Sequence, residues 1–263
     1  TRTMVDKPSH SVLSPALFVN LYPFSSKAFS LRAFAKKSFR MPTFNELFYT
    51  EVGNALLKPE TAVQYNVGAV WDKTYPTSLV RGFRLQIDGY FNSVSDKIVA
   101  YPKGQQFRWT MLNLGKVHIK GIDLQAETTM QPSPELSFTG RLQYTYQQAR
   151  DVTNPSDSYY KHQIPYIPWH SGSAIVTLGW RGWELNYSFI YTGERYDSSA
   201  NIRENYVRPW YTSDLTLSRP FTLRRHQLRL TTEVSNLLNQ QYEVVRSYPM
   251  PGTNFKLKAE YTL

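Results

Sequence analysis

The sequence contains no cysteine. Disulfide frameworks and thiolate metal centres are therefore excluded, and the chain tolerates any redox compartment. It also lacks any apolar run of about eighteen residues or more, which excludes a transmembrane helix but not a transmembrane barrel, whose strands are only half apolar. Thr1 to His10 is polar and has no signal-peptide core, which leaves either a cytosolic protein or a chain whose beginning lies elsewhere. No H-E-x-x-H, G-x-S-x-G or glycine-rich phosphate loop occurs. His10, His118, His162, His170 and His226 are dispersed, so no metal site, no cofactor and no enzymatic chemistry are expected. Asp157 with His162 is a single acid–His loop pair, too little for a protease site.

What the chain has in quantity is aromatic residues, 15% of the 263, with 19 tyrosines and 6 tryptophans. These suit β-structure and interfaces where a ring needs one dry and one wet end. The net charge of +10 is spread over strands and turns with no basic helix or run, so nucleic acid is not an expected partner. Anionic lipid headgroups, or a lumen favouring anionic cargo, fit that charge better.

The dominant pattern is alternation. In the last ten residues Phe255, Leu257, Ala259, Tyr261 and Leu263 share one face, and Asn254, Lys256, Lys258, Glu260 and Thr262 the other. Successive strand residues point to opposite sides, so this is a strand with one apolar and one polar face. The same period runs through residues 12–22, 27–40, 61–72, 82–100, 113–130, 136–149, 173–180, 183–192, 210–219 and 227–236. A change of parity at Lys120-Gly121, with Val117 and Ile119 counted outward alongside Ile122, Leu124 and Ala126, suggests a bulge. Thr43, three residues before Glu46, marks the capped start of a short helical turn in an otherwise aperiodic 41–60. Arg181-Gly182 makes the tightest hairpin.

About eleven strands result, and short turns alternate with long loops throughout. Outer-membrane barrels show this asymmetry, with short turns on the periplasmic side and aromatic girdles at both interfaces. Trp180 and Trp183, Trp71 and Tyr75, and Tyr22 and Phe24 flank short turns where a girdle belongs. A large soluble β-sandwich has the same strand spacing and stays open at this point, as does a surface adhesin or passive porin.

Two phrases carry a resemblance. Phe39-Arg40-Met41-Pro42-Thr43-Phe44-Asn45-Glu46-Leu47-Phe48-Tyr49, followed by Gly53-Asn54-Ala55-Leu56-Leu57-Lys58-Pro59-Glu60, resembles the F-R-A-P-T-x-x-E-L-Y and G-N-P-x-L-K-P-E phrases of TonB-dependent outer-membrane receptors. Val234 to Glu243, then Tyr248-Pro249-Met250-Pro251-Gly252, is similar to that family's penultimate strand and last loop. Met41 after Arg40 is similar to Bacteroidetes members, corrinoid (vitamin B12) receptors among them. The resemblance implies an all-β, antiparallel transmembrane barrel of roughly twenty-two strands with a plug in its lumen. Residues 1–263 would supply the C-terminal half of that barrel, its first strand running inward and Thr1 lying in an outer loop. Plug, TonB box and first barrel half would belong to a companion segment. The implied activity is TonB-coupled import of a scarce large solute, a corrinoid first and a ferric siderophore second. The implied partners are that N-terminal segment, TonB, outer-membrane lipid and a surface lipoprotein. The final residue is Leu263 where many members have Phe, with Tyr261 and Phe255 keeping the aromatic spacing. Residues 41–60 contain no His where haem receptors of the family place one, which disfavours haem.

For cargo contacts the loops offer Phe107, Arg108, Trp109, Tyr159, Tyr160, Tyr166, Trp169, Tyr206 and Tyr211, rigid rings and guanidinium groups suited to a large ligand. The same aromatics could form the outer interfacial belt. Of the motif residues Phe39, Arg40, Pro42, Glu46, Leu47, Asn54, Leu57, Pro59 and Glu60, Arg40, Pro42, Asn54, Pro59 and Glu60 are expected to shape their loop and not to touch cargo.

Overall fold

In the computed structural model, residues 11–49, 52–103, 108–223 and 226–262 are described. Phe107, the Arg224-Arg225 turn, Leu263 and Thr1 to His10 lie outside them. The strands are β1 (Ala16–Leu21), β2 (Phe29–Arg40), β3 (Glu60–Thr74), β4 (Val80–Lys103), β5 (Arg108–Ser133), β6 (Leu136–Asp151), β7 (His170–Trp180), β8 (Trp183–Thr192), β9 (Arg195–Tyr196), β10 (Tyr206–Val207), β11 (Trp210–Leu223), β12 (His226–Ser235) and β13 (Asn254–Thr262). Eleven of them form one sheet in the order β1-β2-β3-β4-β5-β6-β7-β8-β11-β12-β13, every neighbour antiparallel. The sheet does not close, and β1 and β13 are its edges. β9 and β10 pair separately inside the loop before β11, a two-residue ribbon too short to show a period in the sequence.

Antiparallel partners share a face, so the register carries the two-faced pattern of β13 across the whole sheet. Phe255, Leu257, Ala259 and Tyr261 stand opposite Val234, Thr232, Leu230 and Leu228, and these in turn continue to Leu215, Leu217, Arg219 and Phe221. Leu257 is 80% exposed. The apolar face is thus bare among the described residues, and the soluble sandwich fails because no second sheet covers it. On the other face, carboxylates meet guanidinium and amide groups. Arg32 pairs with Asp88, Gln86 Nε2 donates to Asp88 at 2.9 Å, Arg84 meets Asp72 at 2.6 Å and Arg141 meets Glu127 at 3.0 Å. Gly68 leaves the room that Asp88 occupies, since a Cβ there would collide with its carboxylate.

The bulge expected at Lys120-Gly121 is not there. Lys120, Gly121 and Ile122 pair in unbroken order with Phe91, Tyr90 and Gly89, and the register shifts fall instead between Val80 and Gly82 and between Met130 and Ser133. Gly121 serves close approach: a Cβ would strike the Tyr90 ring and the Tyr146 carbonyl. Parity therefore runs straight through, and Val117 and Ile119 lie on the polar-face side, not outward with Ile122. They are apolar because Val117, Ala149 and Ile164 form a small core under the β6–β7 loop, with Leu114, Ile119 and Ile167 against it.

The connections alternate as the sequence indicates. In the β7–β8 turn both Arg181 (φ 48°) and Gly182 (φ 83°) are left-handed, the arrangement that matches strand twist in a two-residue hairpin. Trp180 and Trp183 face each other across it. The interval left between the periodic stretches 82–100 and 113–130 is strand where it is described: β4 and β5 pair out to Lys103 and Arg108. Their hairpin projects beyond Ser95, where β3 stops pairing, by about 25 Å at the usual rise per residue. Leu47, Leu57 and Ile98, with Met111, support its base.

Ile87 lies near the middle of the part of β4 that pairs with β3, Gly82 to Ser95, on the bare face between Ala69 and Leu124. Ile87→Arg should cost about 2–4 kcal/mol of barrel stability in a bilayer, the scale for a cation at the midplane of a lipid-facing strand. Gln143→Arg, on the polar face of β6, should cost far less. Urea unfolding of the complete receptor in lipid vesicles, followed by loss of its heat-modifiable gel band, measures both.

Candidate functional site

Among the described residues, the long loops form two hydrogen-bonded assemblies at one end of the sheet. The first is built on Arg40, the last residue of β2. Its guanidinium meets Glu46 at 2.9 Å and Glu60 at 3.2 Å. Glu60 in turn accepts from the Ile98 N–H at 3.1 Å and faces Lys97 at 3.5 Å. Helix α1 (Phe44–Phe48) begins with a full capping box: Thr43 Oγ1 accepts from Glu46 N at 3.3 Å, and Glu46 Oε2 accepts from Thr43 N at 2.7 Å. Burial acts to raise the Glu46 pKa, but the Thr43 N–H and Arg40 outweigh it and hold the carboxyl below its usual range. Asn54 donates to the Met111 carbonyl at 3.0 Å, and Asn113 bridges the Lys58 N–H and the Lys58 and Asp96 carbonyls. Leu47 and Leu57 of the same phrase are buried. The motif thus fastens residues 41–59 onto the projecting β4–β5 hairpin.

The second assembly joins three loops, 152–169, 193–209 and 236–253. Gln163 is fully buried and exchanges bonds with Asn201, 2.6 Å from its N–H and 3.0 Å to its carbonyl, while its side chain reaches Ala149 N and the Gln147 and Ile167 carbonyls. Arg195, 2% exposed, donates to the carbonyls of Arg208 (3.1 Å), Glu243 (2.8 Å) and Val244 (2.9 Å). No carboxylate pairs with it among the described residues. Burial accordingly pulls its pKa below the usual arginine value. Arg246 meets Asp197 at 2.7 Å and donates to the Glu204 carbonyl at 2.7 Å. In the last loop Asn236 (φ 50°) takes the left-handed conformation and closes the turn through Gln240 and Pro251.

Between the second and third of these loops lies a cleft of about 610 Å³, lined among others by Tyr206, Arg208, Trp210, Tyr242, Arg246 and Pro249. The Trp210 and Tyr242 rings are 4.8 Å apart at 31°. The cleft therefore offers stacking surface beside two guanidinium groups, the equipment for holding a large solute without covalent chemistry.

Of the residues chosen from sequence, Tyr206 lines this cleft, its hydroxyl 3.5 Å from Glu194. Tyr166 stands nearby with φ 59°, its N–H donating to the Tyr196 carbonyl at 2.7 Å, and Tyr196 pairs with Tyr206. Tyr159 and Tyr160 belong to the 152–169 loop, the first 6.2 Å from the His162 ring and the second beneath Lys161. Trp169 lies under the Arg150 guanidinium at 5.7 Å. Tyr211 falls on the apolar face, opposite Tyr191 and 5.9 Å from Phe189, the position of a belt residue. Arg108 and Trp109 pair with Lys103 and Pro102 at the far end of the projecting hairpin, and Phe107 lies outside the described residues. Arg195, Gln163, Trp210 and Arg246 were not singled out. Arg195, Gln163 and Arg246 lie in loops with no period to read and Trp210 is the first residue of a strand, whereas Tyr242 and Asn236 stood inside the second family phrase.

Arg195→Ala should remove the donor shared by the Arg208, Glu243 and Val244 carbonyls, at a cost of about 1–3 kcal/mol. Amide exchange in residues 236–253 should quicken by tenfold or more while that in β4 and β5 is unchanged, as read by hydrogen–deuterium exchange on the complete receptor. Equal exchange in variant and parent would mean that Arg195 does not hold the loops together.

Residues 3–237 match the family model described as TonB dependent receptor-like, beta-barrel. The chain is 24% identical over 227 residues to the vitamin B12 transporter BtuB of Photobacterium profundum, a match over 86% of this chain and 34% of that protein. The siderophore receptor PiuA from Acinetobacter baumannii superposes with a TM-score of 0.64 at 15% identity, over 94% of this chain and 35% of that one. The ferric-catecholate import receptor Fiu from E. coli K12 does so with a TM-score of 0.63 at 15% identity, over 93% and 34%. These two similarities show the fold. The chain spans about a third of the length of the relatives it matches. Eleven antiparallel strands with a bare apolar face, short turns at one end, knitted loops at the other and a match over residues 3–237 lead to one conclusion: the chain belongs to the TonB-dependent receptor β-barrel family of the outer membrane.

Proposed function

We propose that this chain forms the C-terminal half of the barrel of an outer-membrane active-transport receptor, one that captures a large, scarce solute outside and releases it inward under TonB-coupled force. The carrying observation is the division of the sheet into a bare apolar face, a hydrogen-bonded polar face and one end where the described long loops meet. That arrangement suits a strand wall between lipid and a wet lumen, with a recognition surface at its outer mouth. The unpaired edges of β1 and β13 call for further strands, because an open edge in hydrocarbon leaves backbone groups without partners. In this reading an N-terminal segment supplies those strands and a plug, and TonB acts through the plug.

The cargo is a corrinoid first and a ferric siderophore second. The 24% identity to a vitamin B12 transporter favours the former, and the siderophore receptors resemble the chain in fold at lower identity. The cleft of Tyr206, Trp210 and Tyr242 with Arg208 and Arg246 supplies contact area and charge, and no bond-breaking step is required of it. The loops that frame the cleft are tied together by buried hydrogen bonds, so little ordering entropy remains to be lost on capture.

The test is uptake by cells that lack their own corrinoid and siderophore receptors and express the complete receptor. Labelled cyanocobalamin should accumulate only when TonB is present, and Trp210→Ala with Tyr242→Ala should cut that uptake about tenfold or more at equal receptor level, the scale of two aromatic anchors. Uptake indifferent to TonB would indicate a passive pore. No uptake of either cargo, with the receptor correctly inserted, would indicate a surface protein that does not transport.

A further inference from the structure

The polar face is not uniform around the sheet. On β2 to β6 it is crowded with charge, Arg32, Arg84, Asp88, Asp123, Glu127 and Arg141 all projecting from it. On β7, β8 and β11 its side chains are mostly short and neutral, Ser173, Thr177, Ser188 and Thr216 among them. No Lys or Arg occupies a polar-face position of these three strands. Their two acids are engaged locally: Asp214 accepts from the Asn236 N–H at 2.7 Å, and Glu184 from the Asn186 amide at 3.0 Å. Charge returns on β12 with Arg229 and Glu233.

This neutral lane joins two cavities. At its upper end stands Trp210, opposite Thr192 and, one strand further, Ser171; Trp210 is a wall of the outer cleft of about 610 Å³. At its lower end the row Ser218, Glu184, Gly179 and Ser137 lines a second cavity, of about 270 Å³, at the short-turn end, with Pro220 and Arg229 beside it. From Trp210 to Ser218 the rise along β11 is about 27 Å, close to the height of a hydrocarbon core. The lower cavity is equipped for a polar group. Ser218 is 5% exposed and lines it, and its hydroxyl has no hydrogen-bond partner among the described residues. A buried hydroxyl left open in this way calls for a partner from outside the chain. Arg229 adds a guanidinium and Glu184 a carboxylate.

A large solute moves along a wall only where no single contact holds it for long. Fixed cations or free carboxylates trap a group of opposite charge, and the ion pairs of β2 to β6 would have to part to let it by. Hydroxyls exchange hydrogen bonds between solute and water at little net cost. Ile175 and Ile190, 41% and 43% exposed in the middle of the lane, suit an apolar flank of the same solute.

We infer that the solute descends along the polar face of β7, β8 and β11, from the cleft at Trp210 to an exit-side contact site formed by Ser218, Glu184 and Arg229. That site takes the solute's hydrogen-bonding groups, its amides, hydroxyls or carboxylates. The inference rests on the transport reading above and adds the side of the wall on which the passage opens. The plug yields on this side of the lumen and keeps its contacts on the charged side.

The experiment uses the complete receptor in cells without their own corrinoid and siderophore receptors, given labelled cyanocobalamin and, separately, a labelled ferric catecholate siderophore. Surface binding is read in cells without TonB and accumulation in cells with it. Ser173 and Ile190 are opposite each other in the lane, with no carboxylate opposite them or two residues along either strand. Ser173→Lys and Ile190→Lys should each leave surface binding unchanged and lower TonB-dependent accumulation about tenfold or more. Gln125→Lys places the same charge in the same register row on β5, where Asp123 and Glu127 flank it, and should import as the parent does. Ser218→Ala should slow accumulation severalfold, again with binding unchanged. Should a lysine variant fail to give the heat-modifiable band, Ser173→Cys modified after assembly with a cationic thiol reagent takes its place. Accumulation by the lane variants equal to the parent's, or an equal loss with Gln125→Lys, would overturn the proposal while the parent's own TonB-dependent import keeps the transport reading standing. TonB-independent entry through the lysine variants would also overturn it, since that marks a plug seated on this wall. A parent that accumulates neither cargo removes both readings.

Discussion

Everything in this fold depends on one constraint: each strand must satisfy two solvents at once. A residue pair on one face meets lipid and on the other meets water or a plug, while the backbone between them must find its partners in the next strand. The register of β13 with β12, and of every pair back to β1, keeps the apolar set in one plane over eleven strands. A slip of one residue anywhere would invert a strand. The polar face protects against such a slip because its charges are matched across strands, Arg32 with Asp88, Arg84 with Asp72 and Arg141 with Glu127. Moving any of these strands by one residue would drive a carboxylate or guanidinium into hydrocarbon.

At the outer end the requirement changes from partition to cohesion, and the two loop assemblies meet it by different electrostatics. Arg40 sits between two carboxylates, so charge is neutralised where it is half-buried. Arg195 is buried without an acid and spends its donors on three backbone carbonyls from two loops. The second solution ties its loops through a cation with no acid beside it, while at the cleft itself Arg246 is matched by Asp197 and Glu243 is part of the lining.

The fold was legible because membrane strands write their two solvents directly into the sequence. Phe255 through Thr262 alternates without a fault, and the Arg181-Gly182 turn and the Thr43 cap follow from local chemistry alone. The misreading at Lys120-Gly121 has a physical cause. Val117 and Ile119 are apolar for a reason other than lipid, being packed under a loop, and Gly121 is small to admit Tyr90 and not to bend the strand. Above the membrane the period-two rule no longer applies, which is also why the far halves of β4 and β5 read as a connection. The cleft was less visible still. Arg195 and Gln163 matter mainly through partners in other loops and strands, up to 49 residues away, and nothing in a linear pattern announces such contacts.

The central claim is that one parity of each strand faces lipid and the other does not. The chain has no cysteine, so single cysteines can be introduced and spin-labelled one at a time along residues 117–124 of β5 and 139–146 of β6 in the complete, membrane-inserted receptor. The account predicts that even positions such as 122, 124, 142 and 144 are relaxed by oxygen dissolved in the bilayer and odd ones by a water-soluble nickel chelate, with the phase unbroken across Gly121. Equal access on both parities, or a reversal of phase at Gly121, would contradict it.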